Sequence, residues 1–196
     1  MAVRGTFERI VRAPIAMRWL AAACVLVTAL SHPAPGAVPE YELKAAIIYK
    51  IGKFVRWPEP PDQGHGTLKV CVVGRDEFGG SIDDLAGQRI HDQVIEVQRF
   101  AAYAPDTLQC QIAFISRSEE ANASALVAYI GRAPVLTISD IDGFAALGGI
   151  VGFVTHDSKV TFQINPVAGR RAGLEISAQL LQLATLVTDA QTRIVQ

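Results

Sequence analysis

From residue 68 onward the chain alternates short runs rich in Val and Ile with helix-like stretches, and that alternation narrows most sharply what it can fold into. Residues 68–73 read as a buried strand ending in Gly74, Arg75 and Asp76, and residues 78–85 as a short helix closed at Gly87. Further strands are predicted over 93–100, 110–115 and 135–139, with a helix over 119–130 closed at Gly131. Strands alternating with helices indicate parallel βαβ units, because a parallel partner is reached only by a crossover. The pattern then changes to two apolar runs, 150–155 and 160–164, separated by His156, Asp157, Ser158 and Lys159, which reads as a β-hairpin. Asn165 suits an N-cap and Pro166 the first position of a helix.

Helices are expected at both ends of this unit. Residues 41–57 place Leu43, Ile47, Ile51, Phe54 and Val55 at steps of three and four, with Lys44, Lys50, Lys53 and Arg56 on the other side. Trp57-Pro58 stops that helix, and 60–66 follows as an exposed loop. A last helix is predicted over 177–189, with Ile176, Leu180, Leu183 and Val187 on one stripe widened by Leu181 and Ala184. The predicted fold class is α/β, a single-domain sandwich with a mixed, mainly parallel sheet flanked by helices and an antiparallel hairpin in the C-terminal part.

Residues 1–37 carry the marks of an export leader. Arg4, Arg9, Arg12 and Arg18 precede an uncharged apolar run from Trp19 to Leu30, followed by small residues and prolines up to Ala37. A run of about a dozen residues is short for a bilayer span, which favours a cleaved signal peptide, cut near Gly36 or Ala37, over an anchor. The domain is then 38–196, with 14 basic and 18 acidic residues and a formal charge of −4. That balance offers no basic footprint for nucleic acid. No second apolar stretch approaches membrane-spanning length, so no direct insertion is expected.

Cys24 lies in the leader, leaving Cys71 and Cys110 as the thiols of the exported domain. In common doubly wound orders the first strand lies between the second and third, making the strands that carry these cysteines neighbours. A bridge would close a loop of roughly 40 residues and contribute about 4 kcal/mol on the chain-entropy model. Two buried free thiols are the alternative. Neither cysteine has a CxxC partner that would point to redox catalysis.

Catalytic patterns are not found. The glycines at 74, 79 and 80 follow a strand, but their spacing fits neither a dinucleotide nor a P-loop signature, and acidic residues sit where phosphates would approach. His65, His91 and His156 are isolated, without zinc-ligand spacing, and no GxSxG elbow occurs. A receiver-like domain would need an Asp where Ser116-Arg117 stand. Asp140 and Asp142 are expected to cap a helix over 144–147. No cofactor is implied. Arg75, Asp76, Ser116, Arg117 and Asp140 fall at the carboxyl ends of the parallel strands, where open α/β sheets bind ligands, and form a candidate small-molecule site; a solvated polar rim is the alternative. Trp57 beside Arg56, and Arg170-Arg171 with Glu175, have the composition of a protein interface.

The segments Tyr41-Glu42-Leu43-Lys44-Ala45-Ala46-Ile47-Ile48-Tyr49-Lys50, Phe54-Val55-Arg56-Trp57-Pro58, Phe162-Gln163-Ile164-Asn165 and Gly173-Leu174-Glu175-Ile176-Ser177 occur in that order. In order and spacing the chain resembles the YfiR family of periplasmic proteins across the exported domain. The resemblance implies a non-enzymatic repressor, typically a homodimer, that binds the periplasmic part of an inner-membrane diguanylate cyclase of the YfiN type. Cyclic di-GMP signalling and biofilm formation would be restrained, and an OmpA-like outer-membrane lipoprotein of the YfiB type would sequester the repressor. Cys71 and Cys110 match a cysteine pair of the family, whereas a second pair found in some relatives is absent from residues 144–153. The expected partner contacts are Gln163, Arg170, Arg171 and Glu175, with Trp57 as an anchor. A periplasmic small-ligand sensor using the strand-end residues is the competing reading.

Overall fold

A computed structural model of the chain describes residues 39–58, 66–102, 109–157 and 159–189. The expected leader over 1–37 and most of the expected loop over 60–66 lie outside the described residues. The first element is α1 (Glu40–Lys53), with Glu40 and Glu42 in its first turn and Lys50 and Lys53 in its last, charges that complement the helix dipole. Its buried face is Lys44, Ala45, Ile48, Ile51 and Gly52. The helix is therefore turned from the expected stripe: Leu43 and Ile47 are half-buried, and Lys44 points inward because it meets a buried carboxylate. The helix also stops at Lys53 instead of 57. Val55–Arg56 leave it as β1 and pair antiparallel with β9 (Glu175–Ile176), a partner too distant in sequence to be read locally.

The main sheet holds β2 (Thr67–Val73), β3 (Arg89–Ile90), β4 (Gln93–Phe100), β5 (Ile112–Ile115), β6 (Leu136–Ser139), β7 (Val151–His156), β8 (Lys159–Ile164) and β10 (Thr185–Leu186). Its order is β10-β8-β7-β6-β5-β2-β4-β3. The run from β7 to β4 is parallel, while the β7–β8 hairpin and the β3–β4 edge pair are antiparallel. As expected from the doubly wound rule, β2 lies between β4 and β5. This brings Cys71 and Cys110 to a Cα–Cα distance of 6.1 Å, and they form a disulfide. In the hairpin the pairing runs out to His156 opposite Lys159, tighter than the four-residue loop expected, with Asp157 at φ 47° in the turn.

Alternation along β5 sorts the core into two layers. Ile112 and Phe114 join the cluster formed with Ile48 and Ile51 of α1, and with Phe78, Ile82 and Leu85 around a 3-10 helix over Gly79–Leu85. Ala113 and Ile115 face the other way, against Leu126, Val127 and Ile130 of α2 (Ala123–Ile130). Full burial of a side chain of this size contributes about 1.5–3 kcal/mol relative to exposure, so the two layers together hold the sheet. The helix predicted over 119–130 is divided, its first part being a 3-10 helix over Arg117–Asn122 capped by Ser116.

The C-terminal end departs most from expectation. Ser177 caps α4 (Ala178–Leu183), but the helix ends there, and Thr185 and Leu186 lie parallel to β8 opposite Gln163 and Ile164. Val187 N–H then donates to the Ile164 carbonyl at 2.9 Å. The edge strand's otherwise unpaired backbone groups outweigh the helical pattern of 177–189. Among the described residues no helix is long and apolar enough to cross a membrane.

Candidate partner-binding surface

β8 delivers the chain into α3 (Pro166–Arg171) through Asn165, which is fully buried and makes every bond its amide allows at that corner. Its Oδ1 accepts from the N–H groups of Val167 at 3.1 Å and Ala168 at 3.0 Å, the N-cap role expected. Its Nδ2 donates to the Ala145 carbonyl at 2.9 Å and to Asp189 Oδ1. The short helix therefore presents its last-turn arginines at a fixed place. Arg171 is held by its own chain: Nη1 donates to Asp189 Oδ2 at 2.8 Å and Nη2 to the Gly148 carbonyl at 3.0 Å. Arg170 is exposed, with no side-chain partner among the described residues.

The other expected contact residues are distributed around this corner. Gln163 is half-buried in β8, between Gly152 of β7 and Thr185 of β10. Glu175 is exposed on β9, opposite Arg56. Trp57 packs against the core and donates Nε1–H to the Gln111 carbonyl at 3.0 Å, so its indole ties β1 to the start of β5. Arg170, Arg171 and Glu175 border three different depressions, of about 730, 370 and 440 Å³. The three residues therefore do not converge on one pocket: the first two depressions meet at Ala146, and the one beside Glu175 shares no lining residue with either. Sequence reading missed Leu147 and Leu186, 47% and 55% exposed; Leu186 had no helical stripe position to mark it, and Leu147 fell in an expected short helix that is a series of turns here.

The strand-end residues do lie near one another, but mostly spend their polar atoms within the chain. Asp76 accepts from Phe78 N–H at 2.8 Å and from Arg99 Nε at 2.6 Å. Arg99 also bonds both oxygens of Asp83, and those hydrogen bonds, with Asp76's, push its guanidinium above even the usual arginine range. Arg75 is exposed, its backbone N–H donating to Ser118 Oγ at 2.9 Å. Arg117 donates to the Asp140 carbonyl and, at 3.2 Å, to Asp142.

Asp140 is not the helix cap expected. Its Oδ2 lies 2.7 Å from Lys44 Nζ and accepts the Tyr41 hydroxyl at 2.8 Å, with the Lys44 and Asp140 side chains 2% and 5% exposed. Glu40 Oε1 completes the group at 2.7 Å from Lys44 and also accepts Thr155 Oγ1–H at 2.9 Å. Burial, and Asp140 as acceptor, push the Tyr41 hydroxyl well above the ordinary tyrosine range. The hydrogen bond from Lys44 holds the Glu40 carboxyl below the usual glutamate range. This network pins the start of α1 to the end of β6. Asp140 Oδ1 is buried with no partner among the described residues. His91, at φ 52°, bonds the Val55 carbonyl through Nε2 at 2.9 Å, and His156 is exposed beside Asp157; His65 lies outside the described residues. No group of three His, Cys, Asp or Glu side chains suited to a metal ion occurs among the described residues.

A family model described as YfiR/HmsC-like matches residues 41–185, from α1 to the first residue of β10. A solved structure described as a conserved domain protein from Vibrio cholerae O1 biovar eltor superposes with a TM-score of 0.50 at 12% identity. The match covers 74% of this chain and 59% of that one, so this chain spans less than two thirds of the solved chain. At that identity the likeness extends to the fold alone.

Proposed function

The chain belongs to the YfiR/HmsC-like family, one of periplasmic regulators of diguanylate cyclase signalling, and on that premise we propose that it captures the periplasmic part of an inner-membrane diguanylate cyclase of the YfiN type and holds the enzyme inactive. The observation that carries this reading is the extent of the family match, 41–185, which takes in nearly every described element. Repression of this kind needs no active site. A regulator that binds the inactive cyclase better than the active one shifts the equilibrium by that difference in affinity, and a shift from 1:99 to 99:1 takes about 5.5 kcal/mol. Removal of residues 1–37 by export processing precedes this role, the Cys71–Cys110 disulfide suits an oxidising compartment, and an OmpA-like lipoprotein of the YfiB type relieves repression by sequestering the regulator, which acts as a homodimer.

Gln163, Arg170, Arg171 and Glu175 are the proposed contacts, with Trp57 at the margin. Arg170 and Glu175 are the cleanest probes, because both are exposed and neither side chain has a partner among the described residues. Arg171 and Trp57 are bonded within the chain, so substitutions there also disturb the fold. The test is calorimetric titration of the oxidised protein with the cyclase's periplasmic domain. Saturable binding that Arg170→Glu or Glu175→Lys weakens by about tenfold, with unchanged melting temperature, supports the reading. Absence of binding, together with failure to recover any cyclase from membranes under conditions that preserve complexes, would overturn it.

A further inference from the structure

The segment from Leu186 to Asp189 runs between two depressions that share Ala146 in their walls. The larger, about 730 Å³, is bordered by Val167, Arg170 and Leu186. The smaller, about 370 Å³, is bordered by Val127, Arg132 and Leu147. Leu147 borders the smaller depression and Leu186 the larger, so each presents exposed apolar surface in one of two hollows that meet at Ala146; a single exposed residue needs no explanation, but such a concave pair does. The charges around it are unbalanced. Asp189 answers Arg171, while Arg132 and Arg170 are exposed and have no side-chain partner among the described residues, in a chain whose overall formal charge is −1.

We propose that these two depressions form one docking surface for an acidic amphipathic segment of a partner protein, its apolar side chains seated against Leu147, Val167 and Leu186 and its carboxylates facing Arg132 and Arg170. The apolar contact supplies affinity, and the two arginines select sign and register. A lipid headgroup surface fits less well, because electrostatic membrane binding draws on clusters of four to eight basic residues and here two stand unpaired, on concave ground. The identification of the partner rests on the capture reading; the chemistry of the surface does not.

The test uses the full exported domain with its disulfide intact and three probes: a helical peptide with Leu at i, i+3, i+4 and i+7 and Glu elsewhere, its Lys counterpart, and the cyclase's periplasmic domain. Fluorescence anisotropy should show binding of the acidic peptide that weakens with salt, and by about tenfold in the Arg132→Glu, Arg170→Glu double variant. Leu186→Ser should weaken it without steepening the salt dependence. Equal binding of the Lys peptide, indifference to the double variant, or binding of phosphatidylglycerol vesicles in place of peptide would overturn the proposal. A cyclase domain that binds wild type and double variant equally would also remove this surface, leaving capture intact. An acidic peptide that binds while the cyclase domain does not would uphold the surface and sink the cyclase assignment.

Discussion

Replacing Asp140 with alanine should be among the costliest single changes on this protein's polar residues. The ammonium of Lys44 is 2% exposed and lies 2.7 Å from Asp140 Oδ2, so removing the carboxylate leaves a buried positive charge without its closest buried partner. Breaking a buried pair in this way costs about 3–5 kcal/mol, most of it the desolvation of the charge left behind. Two features place the expected loss near the lower end. Glu40, 43% exposed, stays 2.7 Å from Lys44, and the Tyr41 ring lies 4.2 Å beneath the ammonium.

A loss of about 3 kcal/mol in a domain of this size lowers Tm by about 6–12 °C. Urea unfolding by linear extrapolation measures the free energy, and the slope should not change if the denatured state is the same. The decisive comparison is the double variant Lys44→Met, Asp140→Leu. It removes both charges and keeps most of the volume, so it should recover most of the loss, as replacement of a buried pair by apolar residues is often neutral or better. If Asp140→Ala alone costs under about 1 kcal/mol, the pair behaves like an exposed one and the burial argument fails. A double variant no better than the single would refute it equally.

Three further outcomes follow. Reduction, or replacement of Cys71 and Cys110 by alanine, reopens a loop with a sequence separation of 39 residues and should cost about 4 kcal/mol; non-reducing mass analysis should find the two peptides linked with a loss of two hydrogens, and two alkylatable thiols would contradict the bridge. Gly149→Ala should unfold or strongly destabilise the domain, because a Cβ there would lie 2.2 Å from the ring of Phe144, which is itself fully buried; an unchanged melting temperature would show that the ring can move aside. The hydrogen bond from Lys44 lowers the folded pKa of Glu40 below its ordinary 4.5, so its stabilisation is present above that value and is lost as pH falls through the depressed one. Glu40→Gln should accordingly narrow the gap between stability at neutral pH and at acid pH, and an unaltered pH profile would count against the pairing.

Local chemistry was enough for the alternating elements and for the α3 cap. Runs such as Gln93–Phe100 are strands because β-branched residues repeat within a few positions, and Asn165-Pro166 is a helix start because capping is settled by adjacent backbone groups. The doubly wound preference extended this to the β4-β2-β5 order and so to the neighbouring cysteines. Tertiary structure decided what depended on distant partners. Lys44 turns inward only because Asp140 lies 96 residues away to receive it, and Val55–Arg56 leave a helical pattern because Glu175–Ile176 offer backbone groups to pair with. Residues 185–187 abandon an amphipathic helix for the open edge of β8, and Asp189 then claims Arg171, leaving Arg170 and Arg132 as the free cations of that flank among the described residues. Periodicity in the sequence can show which residues prefer burial, but an ion pair or a strand edge is satisfied by whatever the fold brings within about 3 Å, and only the folded chain sets that.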